Sequence, residues 1–176
     1  MKQWVKYGLH VRLVEIQDAS FILDLRTDPR LSRYMTGTSL SVQDQEEWIA
    51  RYKERERRGE EYYFITLNDQ GERLGVSRLY NFDAESFEAG SWIYRWGLDT
   101  SVPILGDLAV RDFGFDELRY GVCRFEVMKG NESVIRYHRR FQPEFLGEDE
   151  RACYFRITRE AYETYRDKLL KIFYHG

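Results

Sequence analysis

The sequence predicts an α/β fold built on a single mixed, largely antiparallel central sheet flanked by helices. Short alternating or apolar runs typical of strands are interspersed with longer amphipathic segments typical of helices. Hydrophobic residues make up 43% of the chain and charged residues 32%, as in ordinary globular proteins. Because 176 residues suit one self-sufficient core, we expect residues 1–176 to form a single domain with a helix over 158–175 at its end.

The first half of the chain predicts one strand, two helices and a hairpin. Asp18 and Ser41 are residue types that cap helix N-termini, and Gly59 is suited to end the second helix. Asn68–Gly71 supplies a turn with a glycine available for positive φ. The predicted elements are therefore a strand at 9–14, helices at 18–28 and 41–59, and paired strands at 62–67 and 73–80.

The second half predicts strands and helices on both sides of an irregular turn. Pro103 suits the first turn of a helix, and Thr158 suits an N-cap. Phe145 and Glu148 bound the first strand of a late hairpin. The predicted elements are a strand at 87–94, a turn at 95–102, a helix from 103 to about 115, a strand at 123–127, a helix from 131, strands at 145–148 and 152–157, and the last helix.

Composition excludes several classes of partner. The net charge of −3 and the pI of about 5.7 argue against binding to nucleic acid or to a membrane surface. Cys123 and Cys153 are too few for a disulfide framework, and the three histidines show no metal-ligand spacing, so we expect no metal. No run has the length of a signal peptide or a membrane span, which predicts a cytoplasmic protein.

The order of elements between 83 and 141 is strand, irregular turn, helix, strand, helix, with Asn131 opening the second helix. Over residues 9–157 this order resembles the GNAT acetyltransferases, in particular the branch with ribosomal-protein acetyltransferases and nucleotide-amino-sugar N-acetyltransferases. The family's loop, Arg/Gln-x-x-Gly-x-Gly/Ala, is matched here only at Arg95 and Gly97. The resemblance implies a cleft between strands 87–94 and 123–127 that binds acetyl-CoA.

The resemblance also implies where acetyl-CoA is held. The pyrophosphate is expected at backbone N–H groups of the helix start, and Asp99 is unfavourable there unless it points away. Backbone N–H groups from Trp92 to Tyr94 would polarise the thioester carbonyl if the strand bulges. The expected acetyl-CoA residues are Ile93, Tyr94, Arg95, Trp96, Gly97, Thr100, Ser101, Val102 and Asn131.

Two neighbouring residues compete for the role of general acid toward the leaving thiolate. The family places a tyrosine seven residues after the helix-opening asparagine, and a count without gaps from Asn131 reaches His138. Tyr137 fits if one residue is deleted, and the family's following Gly-Phe pair is replaced by Gln142 and Pro143. A histidine could serve if it is protonated or relays through water. Both alternatives remain open on the sequence.

The acceptor amine is an ammonium at neutral pH, and a carboxylate is needed to take its proton. Glu88 lies at the start of the strand beside the expected cleft, where the family often places such a group. Asp83 and Glu85, on the preceding loop, are the alternatives.

Residues 130–141 look like a smaller group of the family that acetylates amino sugars carried on nucleotides for surface-polysaccharide biosynthesis. We therefore expect an N-acetyltransferase acting on a small-molecule primary amine, as a monomer or homodimer. The expected acceptor-side residues are Trp48, Tyr80, Phe82 and Trp92. The alternatives are acetylation of a protein N-terminus, which would require an open acidic groove, and a non-catalytic acyl-CoA-binding module.

Overall fold

The computed structural model describes residues 3–31 and 41–175, which fold around an eight-stranded sheet in the order β1-β2-β3-β4-β5-β6-β8-β7. The strands are β1 Trp4–Lys6, β2 Leu9–Leu13, β3 Tyr62–Leu67, β4 Arg73–Tyr80, β5 Ser86–Tyr94, β6 Val122–Met128, β7 Glu144–Glu148 and β8 Ala152–Thr158. The helices are α1 Ala19–Thr27, α2 Val42–Arg57, α3 Ser101–Asp112, α4 Glu132–Arg139 and α5 Arg159–Phe173. Only β5 and β6 pair in parallel, which confirms the predicted mixed, largely antiparallel sheet.

The structure differs from the predicted elements mainly at their ends. The sequence did not predict β1, because three residues carry no readable alternation. This strand pairs with β2 through a tight turn at Tyr7 and Gly8, both at positive φ (56° and 72°). Helix α3 begins two residues before Pro103, and a π turn at Phe113–Glu117 continues it.

The helices cover the sheet on both faces. On one face α1 and α2 pack over the sheet around Ile22, Ile49 and Tyr52. On the other face α3 and α5 pack around Leu108 and Tyr162, in the larger of the two cores. In the described part of the chain, no helix is both long enough and apolar enough to cross a membrane.

A buried carboxylate holds α3 in place. Asp112, at the end of α3, is 1% exposed and lies 2.7 Å from Nζ of Lys6. Its Oδ1 accepts hydrogen bonds from the Tyr162 hydroxyl at 2.9 Å and from Arg166 at 3.1 Å. Because charged donors from β1 and α5 meet on this buried carboxylate, α3 is tied to both of these elements.

The parallel pair β5–β6 is short. Its pairing covers only Ser86–Glu88 against Val122–Arg124, whereas β6 pairs with β8 along its whole length. The register between β4 and β5 also shifts, so that Ser77 lies opposite both Ser91 and Trp92, and Ser91 takes a φ of 49°. This β-bulge is the one that the expected cleft required, and it lies in the part of β5 that no longer pairs with β6, since that pairing ends at Glu88.

Candidate active site

A cleft of about 950 Å³ fills the gap between β5 and β6. Residues 89–95 of β5 and its following loop form one wall, and residues 125–128 of β6 form the other. Pro103 and His138 contribute from the α3–α4 face of the sheet, and Arg26 and Arg30 contribute from the α1 face. The cleft is therefore reached from both faces of the sheet.

The β5 wall offers unpaired backbone groups to the cleft. The N–H of Arg95 donates to the carbonyl of Leu74 at 2.8 Å, on the β4 side. Because successive residues of an antiparallel strand point their amides to opposite sides, the N–H of Tyr94 points toward the gap. A donor at an open strand edge fits the thioester carbonyl of an acyl-CoA arm.

The loop after β5 leads into the N-terminus of α3. Gly97 has a φ of +83°, so this position favours glycine. The N–H groups of Gly97, Leu98 and Thr100 make no hydrogen bond to another described residue. These three donors, at the positive end of a helix dipole, suit a phosphate group.

Two residues expected to contact the pyrophosphate are already engaged. The N–H and hydroxyl of Ser101 both donate to Oδ1 of Asp99, at 2.8 and 2.5 Å. The N–H of Val102 donates to the Asp99 carbonyl at 3.1 Å. Neither Ser101 nor Val102 lines the cleft, while the other seven residues expected at acetyl-CoA do. The hydrogen bonds from Ser101 hold the pKa of Asp99 below its ordinary value, so a negative charge already lies at the helix start.

A buried polar cluster lies beneath the cleft. Oδ2 of Asp107 accepts hydrogen bonds from Nε of Arg111 at 2.8 Å and from the hydroxyl of Tyr137 at 2.9 Å. The Arg111 guanidinium also contacts Sγ of Cys123 at 3.0 Å and lies 4.9 Å from the ring centre of Phe125. Burial, together with the charge of Asp107, raises the pKa of Tyr137 well above 10.0. The phenol is thus committed to Asp107, and Tyr137 is not among the cleft-lining residues.

His138, by contrast, lines the cleft. Its ring packs 4.5 Å from Phe125 and 5.9 Å from Trp92, and its Nδ1 is buried without a hydrogen-bond partner among the described residues. Burial first, and the charge of Arg111 second, hold the pKa of His138 well below 6.5. The protonated imidazole considered on the sequence is therefore absent at neutral pH, and the ring is neutral.

Asn131 also lines the cleft, just before α4. Its side chain does not cap the helix, and its Oδ1 accepts a hydrogen bond from the Ser133 hydroxyl at 3.2 Å. Asn131 therefore lines the cleft without capping the backbone of α4.

The structure brings two of the four expected acceptor-side aromatics to the cleft. Tyr80 and Trp92 line it, and Nε1 of Trp92 donates to the carbonyl of Pro103 at 2.9 Å. Trp48 does not, because it stacks on Tyr52 in the core under α2. Phe82 does not either, because its ring stacks on Tyr120 with centres 5.3 Å apart.

The expected carboxylates differ in their surroundings. Asp83 accepts hydrogen bonds from the backbone of Glu85 and from Ser86, which lower its pKa to about 2 and give it a turn-stabilising role. Oε2 of Glu88 accepts from Nδ2 of Asn81 at 3.0 Å, and Glu88 stands beside the cleft rather than in its lining.

The cleft contains charged residues that the sequence analysis missed. Asp107 and Arg111 lie four residues apart in a largely apolar helix, a spacing that signals an inward-facing ion pair. Glu126 lies on the face of β6 opposite to Cys123, Phe125 and Val127, which the alternation of that strand could have revealed. Arg26, Arg30 and Arg78 had no sequence signal, since surface arginines are common.

The buried neutral His138 predicts a pH-dependent stability. The folded pKa lies below the unfolded value of 6.5, so the unfolded chain binds the proton more readily. The contribution of His138 to the free energy of unfolding should be fully present above pH 6.5. It should fall as the pH drops below 6.5, by up to ~1.4 kcal/mol per pH unit. Urea denaturation between pH 7.5 and 5.5 measures the slope.

The variant His138→Phe should lose this part of the slope, whereas His175→Gln, at an exposed histidine, should keep the wild-type slope. Equal slopes in wild type and His138→Phe would show that the ring is accessible to protons in the folded state.

Comparisons with known proteins agree with this geometry. The family model for the acetyltransferase (GNAT) domain matches residues 9–142. The chain is similar to the apo structure of FdhC, a nucleotide-linked sugar GNAT, at 33% sequence identity over 99% of both chains and a TM-score of 0.86. No curated protein sequence matches the chain.

More distant structures share the fold. The ribosomal-protein-S5-alanine acetyltransferase from Vibrio fischeri is 12% identical over 92% of this chain and 99% of that one, with a TM-score of 0.77. Spermidine N-acetyltransferase from Vibrio cholerae, in complex with CoA and spermine, is 17% identical over 89% of this chain and 98% of that one, with a TM-score of 0.72.

The family match covers most of the chain, and the cleft, bulge and helix N-terminus that an acyl-CoA requires are present. The non-catalytic alternative is therefore set aside. The chain belongs to the GNAT family of acetyltransferases and is an N-acetyltransferase that uses acetyl-CoA.

Proposed function

We propose that this N-acetyltransferase transfers the acetyl group to the primary amine of an amino sugar carried on a nucleotide, in the cytoplasm, for surface-polysaccharide biosynthesis. The observation that carries the proposal is the 33% identity, over the full length of both chains, to a nucleotide-linked sugar GNAT. The charges of the cleft support it independently.

The cleft is rich in arginine on its acceptor side. Five arginines and two carboxylates line it among the described residues, and Arg26, Arg30 and Arg78 approach from the α1 face. The diphosphate of a nucleotide-linked sugar carries two negative charges, which guanidinium groups bind well. A peptide N-terminus or a polyamine is cationic and would require the opposite balance.

Arg78 is the best-placed of these arginines. Its guanidinium lies 4.3 Å from the ring centre of Tyr80, and its Nε lies 2.8 Å from Oε1 of Glu61 without the alignment of a hydrogen bond. Glu61 is also bound by Nε of Arg55 at 2.6 Å. Since two arginines share the Glu61 carboxylate, that carboxylate does not fully neutralise Arg78, and the guanidinium remains available to an anionic substrate.

Residues of this chain supply three functions in the reaction. The unpaired N–H of Tyr94 stabilises negative charge on the thioester oxygen, and the donors at Gly97, Leu98 and Thr100 hold the pyrophosphate. His138, as a neutral imidazole with one N–H, donates to the leaving sulfur. The bound acetyl-CoA supplies the activated acyl group.

The proposed function predicts that the rate of acetyl transfer differs among acceptors. We expect thiol release from acetyl-CoA to be fastest with uridine- or thymidine-diphosphate-linked amino hexoses. Thiol release should be slower by roughly 10²- to 10⁴-fold with the free amino hexose, because two charged contacts of about 1.5–3 kcal/mol each are lost. Spermidine and a peptide with an N-terminal alanine are the rival acceptors. A higher kcat/KM for either rival would contradict the proposal.

The same contacts predict a residue-specific effect. The variant Arg78→Gln should raise KM for the nucleotide sugar by roughly 10- to 100-fold, the equivalent of one charged hydrogen bond, with KM for acetyl-CoA unchanged. Arg55→Gln removes the other partner of Glu61 outside the cleft and is the matched control. If both variants raise KM equally, Arg78 acts only through Glu61.

The charge at the start of α3 predicts a gain of affinity. The variant Asp99→Asn keeps an acceptor for the Ser101 N–H but removes a negative charge next to the pyrophosphate donors. We expect the Kd for acetyl-CoA, measured by calorimetry, to fall by roughly two- to five-fold, from the ~0.3–1 kcal/mol of a charge at a helix terminus. The gain should shrink at high salt.

Asp149→Asn is the control, because Asp149 makes the same kind of turn through the N–H groups of Arg151 and Ala152 outside the cleft. Unchanged or weaker binding by Asp99→Asn would place the pyrophosphate elsewhere.

The burial of Tyr137 and the placement of His138 predict different variant effects. His138→Phe should lower kcat by roughly 10²-fold or more, because it removes a donor to the leaving group. Tyr137→Phe should mainly lower the free energy of unfolding, by about 1–3 kcal/mol, because Asp107 loses a buried hydrogen bond. Loss of turnover in Tyr137→Phe with unchanged stability would reverse the assignment.

A further inference from the structure

We infer that Glu126, on β6, is the carboxylate that takes the proton from the acceptor's ammonium group, and that Glu88 acts on Glu126 as a positioning residue. The inference deepens the proposed function, since it concerns the same site, and it holds for any primary-amine acceptor.

Strand geometry places Glu126 at the reacting centre. Cys123, Phe125 and Val127 are buried on the α3 face of β6, so Glu126 points to the opposite face, from which the acceptor enters. Glu88 pairs with Arg124, within the last paired residues of β5 and β6. Glu126 lies two residues further along, where the strands have separated, and it lines the cleft.

Hydrogen bonding distinguishes the two carboxylates. Glu126 makes no hydrogen bond or ion pair with any described residue. Glu88 accepts from Asn81, and it lies near enough to the Tyr80 phenol to raise the pKa of that group, which burial raises first. Arg124, the neighbouring cation, donates to the Asn81 carbonyl at 2.6 Å. Glu126 is therefore the carboxylate left available for a substrate ammonium.

The surrounding charges favour proton uptake by Glu126. Burial, and then the charge of Glu88, raise its pKa, with a smaller contribution from Asp149 and an opposing one from Arg151. Tyr154 faces it across the β6–β8 pairing. A carboxylate with a raised pKa is a stronger base.

Each of the three protons of the acceptor's ammonium group has a destination in the acetyl transfer. The ammonium nitrogen gives one of its three protons to a Glu126 oxygen and becomes a neutral amine with a lone pair. That lone pair forms the C–N bond to the acyl carbon, and the C–S bond breaks with its electron pair on sulfur. One further proton passes from nitrogen to sulfur, with His138 placed to assist, and the third remains on the amide. Glu126 then releases its proton to solvent.

The test compares two nucleophiles in thiol-release assays. One is the best amine among the nucleotide-linked amino hexoses, spermidine and the alanine peptide, and the other is hydroxylamine, which is neutral at pH 7.5. Glu126→Gln should lower kcat/KM for the amine by roughly 10²- to 10⁴-fold and change that for hydroxylamine little. Glu88→Gln should cost less and should move the acidic limb of the kcat/KM profile to lower pH, because it removes the charge that raises the Glu126 pKa.

The exposed glutamate Glu150 provides the control variant Glu150→Gln, which should behave as wild type. If Glu88→Gln abolishes turnover while Glu126→Gln retains it, Glu88 is the base. If Glu126→Gln slows both nucleophiles equally, Glu126 does not accept the proton.

A second readout needs no acceptor. In carboxyl ¹³C spectra, the resonance absent from Glu126→Gln should titrate above 4.5, the ordinary value for glutamate, and should shift down in Glu88→Gln. If no amine in the panel is acetylated, the proposed function is wrong. The ¹³C titration then decides alone whether Glu126 has the raised pKa that the inference requires. A resonance that titrates at or below 4.5 and is unmoved by Glu88→Gln would overturn the assignment.

Discussion

The short parallel pairing between β5 and β6 is the constraint on which the site depends. β6 is held along its length by β8, and β5 is held by β4, so neither strand can follow the other once their paths diverge. β5 pairs with β6 over three residues only, and the bulge at Ser91 and Trp92 follows in the part of β5 that no longer pairs with β6. A regular sheet would bury these edges, whereas here unpaired amides and a deep cleft remain open to a ligand.

The cluster around Asp107 explains how a cleft can exist without weakening the core beside it. A buried carboxylate and guanidinium would be costly if either lost its partner. Arg111 and Tyr137 both bind Asp107, so α3, α4 and the floor of the cleft are joined by one hydrogen-bonded unit. The Tyr137 phenol is hydrogen-bonded within this cluster, and the adjacent His138 lines the cleft.

The charge of the cleft differs in sign from the charge of the whole chain. The chain carries a net charge of −3, yet arginines outnumber carboxylates among the described cleft residues. In the proposed function, Arg78 binds the anionic part of the acceptor, and Glu126 takes the proton from its ammonium group. A nucleotide-linked amino sugar carries both charges, separated by the sugar.

The sequence by itself determined the order of elements, the mixed sheet, the position of the cleft and the residues along the β5 wall. These follow from local signals: alternation along strands, capping residues and a helix start after an irregular turn. Tertiary structure decided that His138 rather than Tyr137 lines the cleft, because the Tyr137 hydroxyl donates a hydrogen bond to Asp107, a residue thirty positions away. It also decided that Asp99 occupies the helix start and that Trp48 belongs to the core. Glu126 reaches the cleft only because β5 and β6 part before it, and strand separation is a property of long-range pairing that no local pattern encodes.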